Sequence, residues 1–418
     1  MSNREEQRTI GATDEWAYAP VSTLEGLLQR GRGLGAVSAP GDPTAGGFVY
    51  DCIRRDCRWD SQVDERPLYL ARSVRDLGLS PEPVVALLAG GEDDCERATG
   101  VLELLALSGS VEARQVLRSY VREGEHWVDV LESVAARWPV PWWDDLADVP
   151  RSRLTGDEPL LWRSEPWVRW QLGRPRAAVR CGDAPGGGGA ESALSSRHLL
   201  LLLADPGAAD SAKVNALRAL AARPPEAGLI PLVPSLLTAD GQWPLPLLSR
   251  AVGRLGPLAV PAARAWVTDT RPWLSWTGMT VLADHGDTCD LPVLLGSLDT
   301  HWQTRTWCGP DRLAAGLARF GPRAAEAAPL LRRFWLRTPH SYERPAYLKA
   351  LAAVDPDGLD RAYVESLWDC ESDARLLGIA SAPDVPPVRE QLGRLRDDPM
   401  EEPEVRSAAG VRLVALQR

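Results

Sequence analysis

"ERPLYLARSVRDLG" (Glu65–Gly78) and "ERPAYLKALAAVDPDG" (Glu343–Gly358) share Glu-Arg-Pro-x-Tyr-Leu at positions 278 residues apart. In each, a proline stands where the first helical turn tolerates it, apolar residues follow at helical spacing, and a turn residue ends the run. Such self-similarity marks a structural unit used more than once, and it decides the fold. After residue 196 the same kind of helix returns: "VNALRALAARP" (Val214–Pro224), "LLSRAVGRLGP" (Leu247–Pro257), "WTGMTVLADHGD" (Trp276–Asp287), "RLAAGLARFGP" (Arg312–Pro322), "AYLKALAAVDP" (Ala346–Pro356) and "ARLLGIASAPD" (Ala374–Asp384). Their ends fall about 28 to 35 residues apart, each on Pro or Asp, as in helices that turn sharply into their successors. Shorter amphipathic segments such as "AAEAAPLLRRFWLRT" (Ala324–Thr338) and "VPPVREQLGRLRDD" (Val385–Asp398) lie between, so one unit reads helix, turn, helix, turn. No alternating Val/Ile/Thr run predicts a sheet.

These units resemble HEAT repeats, including the variety called PBS-lyase HEAT-like repeats. The second helix of that family opens with an acidic residue and an arginine, matched here by Asp311-Arg312, Glu343-Arg344, Asp373 with Arg375, and Glu404 with Arg406. The resemblance covers residues 196–418 well and 47–138 in part, where "SVEARQVLRSYV" and "HWVDVLESVAARW" form a further helix pair. It implies an all-α fold, an α-solenoid of HEAT-like helix-turn-helix repeats in two blocks, whose concave face is the usual binding surface. It implies little about activity, because the repeat is shared more widely than any one function.

Two stretches break the array. Residues 1–46, with "RGRGLGAVSAPGDPTAGG", read as a loose leader carrying one short helix near Thr23–Arg30. Residues 181–195 hold four consecutive glycines and read as a flexible linker. The organisation expected is therefore a leader (1–46), an N-terminal block with a Trp-rich irregular end (47–180), the linker (181–195) and a C-terminal array (196–418).

The 418 residues carry a net charge of −10, and the 47 basic residues are nearly all arginine, with Lys213 and Lys349 the exceptions. An acidic chain disfavours a polyanion as main partner and favours a basic protein. The polar N-terminus lacks a secretory signal and no apolar run is long enough to span a bilayer, so a cytoplasmic location without membrane attachment is expected. Seven scattered cysteines suit reduced, buried thiols rather than a disulfide framework. Cys52 and Cys57, five apart on one expected helix, point to different faces and lack a histidine to complete a zinc site, so neither a metal nor any other cofactor is expected.

No nucleophile elbow, Walker loop, His-Glu-x-x-His or dinucleotide fingerprint is present, and this absence weighs against an enzyme. His301 and Cys308 flank two tryptophans in "HWQTRTWCGPD", but nothing in the sequence orients the imidazole or activates the thiol.

Tryptophan is the unusual residue. Seven of the 17 fall between Trp127 and Trp170: Trp127, Trp138, Trp142, Trp143, Trp162, Trp167 and Trp170. "WPVPWWDDL" (Trp138–Leu146) closes a helix, since Pro139 and Pro141 forbid continuation, and opens an irregular segment whose indoles suit the packing of a junction. A sharper reading starts from residues 151–180, where seven arginines stand against three acids, beside Asp144, Asp145 and Asp148. Arginine interleaved with tryptophan can stack on bases and contact phosphate. In residue type alone this is similar to the HEAT-like-repeat alkylpurine DNA glycosylases, which would cast Asp144 or Asp145 as the catalytic carboxylate and Trp142, Trp143, Trp167, Arg169 and Trp170 as binding residues. Trp273, Trp276, Trp302 and Trp307, at expected inter-repeat turns one repeat apart, form a second candidate surface in which indoles and arginines compose a protein-binding ridge.

The reading that follows is a non-catalytic protein- or peptide-binding scaffold for a basic partner, of which a regulatory or immunity protein is one version. The alternatives are a nucleic-acid-binding or DNA glycosylase-like protein using residues 138–180, and a lyase-like tailoring role by analogy with the phycobilisome proteins.

Overall fold

In a computed structural model the described residues are 18–154, 164–172 and 194–417. Among them every regular element is helical; no strand forms, and one isolated bridge pairs Leu237 with Pro244. No helix among them is long and apolar enough to cross a membrane. The six runs read as repeated helices lie in the helices Asp210–Ala221, Leu248–Leu255, Pro272–His285, Pro310–Ala318, Arg344–Val354 and Ser372–Ser381. Leu248–Leu255 shows why: Leu248, Ala251, Val252 and Leu255 recur at i, i+3, i+4 and i+7, and all four are buried. Its stop is as legible. Gly256 in "LGP" and Gly321 in "FGP" both adopt φ +56, a left-handed backbone that glycine reaches without a Cβ clash, and the proline that follows cannot continue the helix.

The chain forms two compact units, one drawn from residues 1–177, 333–348 and 357–418, the other from 178–332 and 349–356. In the second, the helices Val260–Trp266, Pro272–His285, Leu291–Thr304 and Pro310–Ala318 each pack against the next in sequence. Pro272–His285 also packs against Leu248–Leu255 and Pro310–Ala318, the next-but-one contacts that stacked helix pairs make. The first unit contains a core of Val49, Ile53, Leu70, Leu102, Leu104, Leu117 and Leu131, and a smaller cluster of Leu367, Val388, Leu392 and Val405 under its last helices. Each leucine so buried contributes roughly 1.5–3 kcal/mol relative to exposure.

The grouping is not a simple division at 181–195, because helices near the C-terminus pack with the first residues described. Nor is the glycine-rich segment loose from Tyr18 onward. It contains the helix Leu24–Gln29, capped by the Thr23 hydroxyl, and the helix Gly33–Ser38. Arg32, 2% exposed, binds Glu365 through both carboxylate oxygens at 2.7 and 2.8 Å, and its Nη1 donates to the carbonyl of Leu336. Arg30 donates to the carbonyl of Arg337. Composition misled here because these two arginines anchor what the glycines leave free. Gly31 has φ +63, and a Cβ there would stand 2.4 Å from the Cys370 thiol, so the approach itself requires glycine. Most of the linker, residues 181–193, lies outside the described residues.

Arginine–carboxylate pairs recur at one spacing. Arg264 reaches Asp290, Arg344 reaches Asp369 and Arg375 reaches Glu401, in each case a carboxylate 25 or 26 residues further along.

Candidate functional site

The helix Trp127–Arg137 ends at Trp138, and the two prolines that follow admit only short 3-10 turns, Val140–Trp142 and Asp144–Leu146. This geometry drives the indoles inward. Trp143 is 0% and Trp167 1% exposed, Trp138 is buried, and Trp142 and Trp170 are half-buried. The rings meet edge to face: Trp138 on Trp142 at 5.7 Å, Trp143 on Trp170 at 5.6 Å. Each buried indole N–H finds an acceptor: Trp138 the Glu103 carbonyl at 3.0 Å, Trp143 the Trp138 carbonyl at 3.3 Å, and Trp167 the Glu132 carboxylate.

Asp144 and Asp145 are adjacent but engage different partners. Asp144 Oδ1 accepts the Trp170 indole N–H at 2.9 Å. Asp145 is held bidentately by Arg118 at 2.8 and 2.6 Å, and that hydrogen bond keeps its carboxyl below the usual aspartate range. Two of the arginines are similarly occupied. Arg153 caps the end of the helix Val111–Glu123 by donating to the carbonyls of Val121, Arg122 and Gly124, and Arg169 lies 3.5 Å from Glu165. Arg114 and Arg169 stand over the Trp142 and Trp143 rings at 4.7 and 5.7 Å. Trp162, Arg163, Arg174, Arg176 and Arg180 lie outside the described residues.

The second candidate surface is placed on helices rather than turns. Trp273 and Trp276 belong to the helix Pro272–His285 and Trp302 to Leu291–Thr304, leaving Trp307 alone at a turn. Trp302 and Trp307 are buried and meet at 6.0 Å with an interplanar angle of 87°. Trp276 and Trp273 are half-buried; Trp276 packs beside His301 at 5.5 Å, and Arg271 stands over Trp273. The described indoles therefore divide into a buried pair and a half-buried pair, and only the second offers ring surface outward.

Cys52 and Cys57 do not share a helix. The helix Ala45–Arg55 ends before Asp56, whose left-handed φ of 50° reverses the chain and brings both buried thiols within hydrogen-bonding reach. That bond raises Cys52 and, with Arg66 nearby, lowers Cys57. The cysteine expectation was also too uniform, since Cys289 and Cys308 are exposed. Asp287, Cys289 and Asp290 place ligand atoms within 4.8 Å of one another, but the Arg264 guanidinium already lies on both carboxylates at 2.8 and 2.9 Å and offsets one of their two charges.

Sequence reasoning missed the densest polar cluster. The arginines of the two Glu-Arg-Pro-x-Tyr-Leu copies converge: Arg66 and Arg344 both donate to the Cys370 sulfur, at 3.1 and 3.4 Å. Arg344 also pairs with Asp369 at 2.9 Å and donates to the carbonyl of Arg30. Asp64 accepts from His340, Ser341 and the Tyr342 backbone at 2.8–3.0 Å. Burial opposes its charge, but His340, Arg66 and these bonds hold the carboxyl far below the aspartate range. Burial instead raises Glu371 to about 7, and raises the Cys370 thiol despite Arg66 beside it. The Ser341 hydroxyl stands 2.5 Å from Glu371 and 3.0 Å from Asp64. One hydroxyl proton cannot serve both, and a protonated Glu371 resolves the conflict. The signal was the motif itself, whose repetition marked a unit but not where its arginines met.

Cavities open among the described residues of this first unit. One of 190 Å³ is lined in part by Cys52, Arg66, Arg97, Glu103 and Arg137. There burial lifts Glu103 to about 7, although Arg137 pairs with it at 2.9 Å. Another measures 680 Å³ and is lined in part by Tyr69, Arg72, Trp368, Gln391, Asp397 and Asp398. No protein-family model matches this chain, and no curated protein is significantly similar to it.

Proposed function

We propose that the chain is a non-catalytic α-solenoid of HEAT-like repeats that binds a protein or peptide with a basic surface. The observation that carries this reading is the fate of the arginines. Arg72, Arg118, Arg264, Arg271 and Arg312 all lie on carboxylates of the same chain, and the chain as a whole carries a surplus of ten negative charges, which favours a basic partner. The 25–26-residue spacing of the arginine–carboxylate pairs and the next-but-one helix packing support the repeat assignment. A regulatory or immunity protein clasping a basic target is one form of this function, acting in the cytoplasm.

The nucleic-acid reading draws less support. Among the described residues, Arg118 and Arg153 are committed internally, Trp143 and Trp167 are buried, and Asp145 pairs with Arg118 at the surface. No observation favours the lyase-like role over either.

Affinity capture from the native host with mass spectrometry, run beside a DNA gel-shift and base-release assay, separates the readings. The expected result is one stoichiometric partner with net positive charge and no DNA retardation. Base release that disappears in Asp145→Asn would overturn the proposal in favour of the glycosylase alternative.

A further inference from the structure

Ser341 stands where three polar side chains meet, the Arg66 guanidinium at 2.6 Å, Asp64 at 3.0 Å and Glu371 at 2.5 Å, and all four residues are buried. A serine oxygen donates one hydrogen bond and accepts two. Arg66 can only donate and takes one acceptor position, so both carboxyl contacts are hydrogen bonds only if one carboxyl carries a proton. Asp64 is the anion of the two. His340 Nδ1 and the Tyr342 N–H donate to its Oδ1 at 2.8 and 2.9 Å, and the Asp60 N–H donates to its Oδ2 at 2.9 Å. Glu371 receives the Glu65 N–H at 3.0 Å and the weak Cys370 thiol at 3.7 Å. The proton therefore sits on Glu371, which donates to Ser341 while Ser341 donates to Asp64.

These bonds join separate stretches of chain. Residues 64–66 lead into the helix Pro67–Asp76, Ser341 opens the turn Ser341–Glu343, and Glu371 precedes the helix Ser372–Ser381. The Glu65 carboxylate returns the tie by accepting the Ser372 N–H and hydroxyl, each at 3.2 Å. Charged and titratable groups face the cluster from every stretch: Asp64, Glu65 and Arg66 from the first, His340 and Arg344 from the turn, and Asp369, Cys370 and Arg375 from beside Glu371, with Tyr18 near Arg66. Arg344 lies on Asp369 and Arg375 on Glu401, so Arg66 is the guanidinium that answers Asp64, Glu65 and Glu371. A charge on Glu371 adds a third carboxylate to that group and deprives Ser341 of a donor.

We propose that Glu371 is the proton-operated member of a latch: protonated, it holds residues 64–66, Ser341 and the start of the helix Ser372–Ser381 together, and when its proton leaves to water it releases them. The joined stretches carry walls of the 680 Å³ cavity, Tyr69 and Arg72 on the helix Pro67–Asp76 and Asp369 two residues before Glu371, so the latch sets how firmly those walls are held. Burial, the largest influence on Glu371, raises its carboxyl to about 7, which brings release within ordinary changes of pH.

The test is hydrogen–deuterium exchange of the full chain at about pH 5.5 and about pH 8, corrected for the intrinsic rise of exchange with pH. It is read at the amides of Glu65, Tyr342 and Ser372, whose hydrogen bonds cross the latch. Release that returns Glu371 from about 7 to an ordinary 4.5 is expected to lower their protection at least about tenfold between the two conditions. At pH 8 these amides are expected to exchange faster than those of the core helix Glu92–Leu107, because the latch opens without global unfolding. Glu371→Gln, which keeps the shape and cannot ionise, is expected to remove the fall. Glu103→Gln, which alters a different buried carboxyl, is expected to leave it in place. Protection at the three amides that does not change with pH, exchange no faster than that of the core helix at pH 8, a fall that survives Glu371→Gln, or a fall abolished by Glu103→Gln would each overturn the proposal.

Discussion

Trp143 and Asp145 stand two residues apart and differ in what they sustain. Trp143 is fully buried among Trp138, Trp170 and the aliphatic core, so Trp143→Ala leaves a large void and is expected to cost about 3–5 kcal/mol in denaturant unfolding. Asp145 is largely exposed and its pair with Arg118 is solvated, so Asp145→Asn is expected to cost no more than about 1 kcal/mol. A loss above about 2 kcal/mol for Asp145→Asn would contradict the reading of that pair as a surface contact. The end of the helix at Trp138 was legible because two prolines admit no continuation. The burial of individual indoles was not, since it depends on which helix lies opposite: Glu103 and Glu132 accept from Trp138 and Trp167 across more than thirty residues of chain.

At the scale of elements, helices were legible and their long-range pairing was not. Periodicity located Leu248–Leu255 and its neighbours because one face must be apolar at 3.6-residue spacing. Nothing in that pattern could bring Arg344 to Asp369 and Cys370, or the helix Gly33–Ser38 to Asp360–Ser366, because such contacts are set by the tertiary path. Arg344 and Asp369 are both almost fully buried. Arg344→Met, which strands the carboxylate, is expected to cost roughly 3–5 kcal/mol, while Arg344→Met with Asp369→Leu recovers part of that loss. Chemical denaturation of the two variants checks this, and a double variant no more stable than the single would contradict it.

The same buried elements give a pH dependence of defined sign. Glu103 and Glu371 rise from an ordinary 4.5 to about 7 in the folded chain. Between those values the folded state holds more protons than the unfolded state, so the stability they contribute is full below about 4.5 and is lost as pH rises to about 7. Asp64 acts in the opposite sense but over a separate, more acidic range, because its pKa is depressed in the folded state. Glu103→Gln is therefore expected to flatten the fall in unfolding free energy across pH 4.5–7, by an amount on the order of 3 kcal/mol. An unchanged slope in that variant would show that Glu103 titrates normally.

For the whole molecule, composition spoke more clearly than any motif. A charge of −10, from 47 basic and 57 acidic residues, sets the sign of the long-range field around the chain. Ion pairing then decides how much of the positive charge remains available, which composition cannot show. The 680 Å³ cavity was equally hidden, since its walls come from helices more than three hundred residues apart, such as those carrying Tyr69 and Gln391. If a basic surface is the ligand, association is steered by charge and weakens with ionic strength. The most direct measurement is titration of the captured partner against the full chain at low and high salt. The account predicts a partner of net positive charge that binds in one-to-one proportion, with affinity falling at least about tenfold between roughly 0.05 and 0.5 M salt. A neutral or acidic partner, or an affinity indifferent to salt, would contradict it.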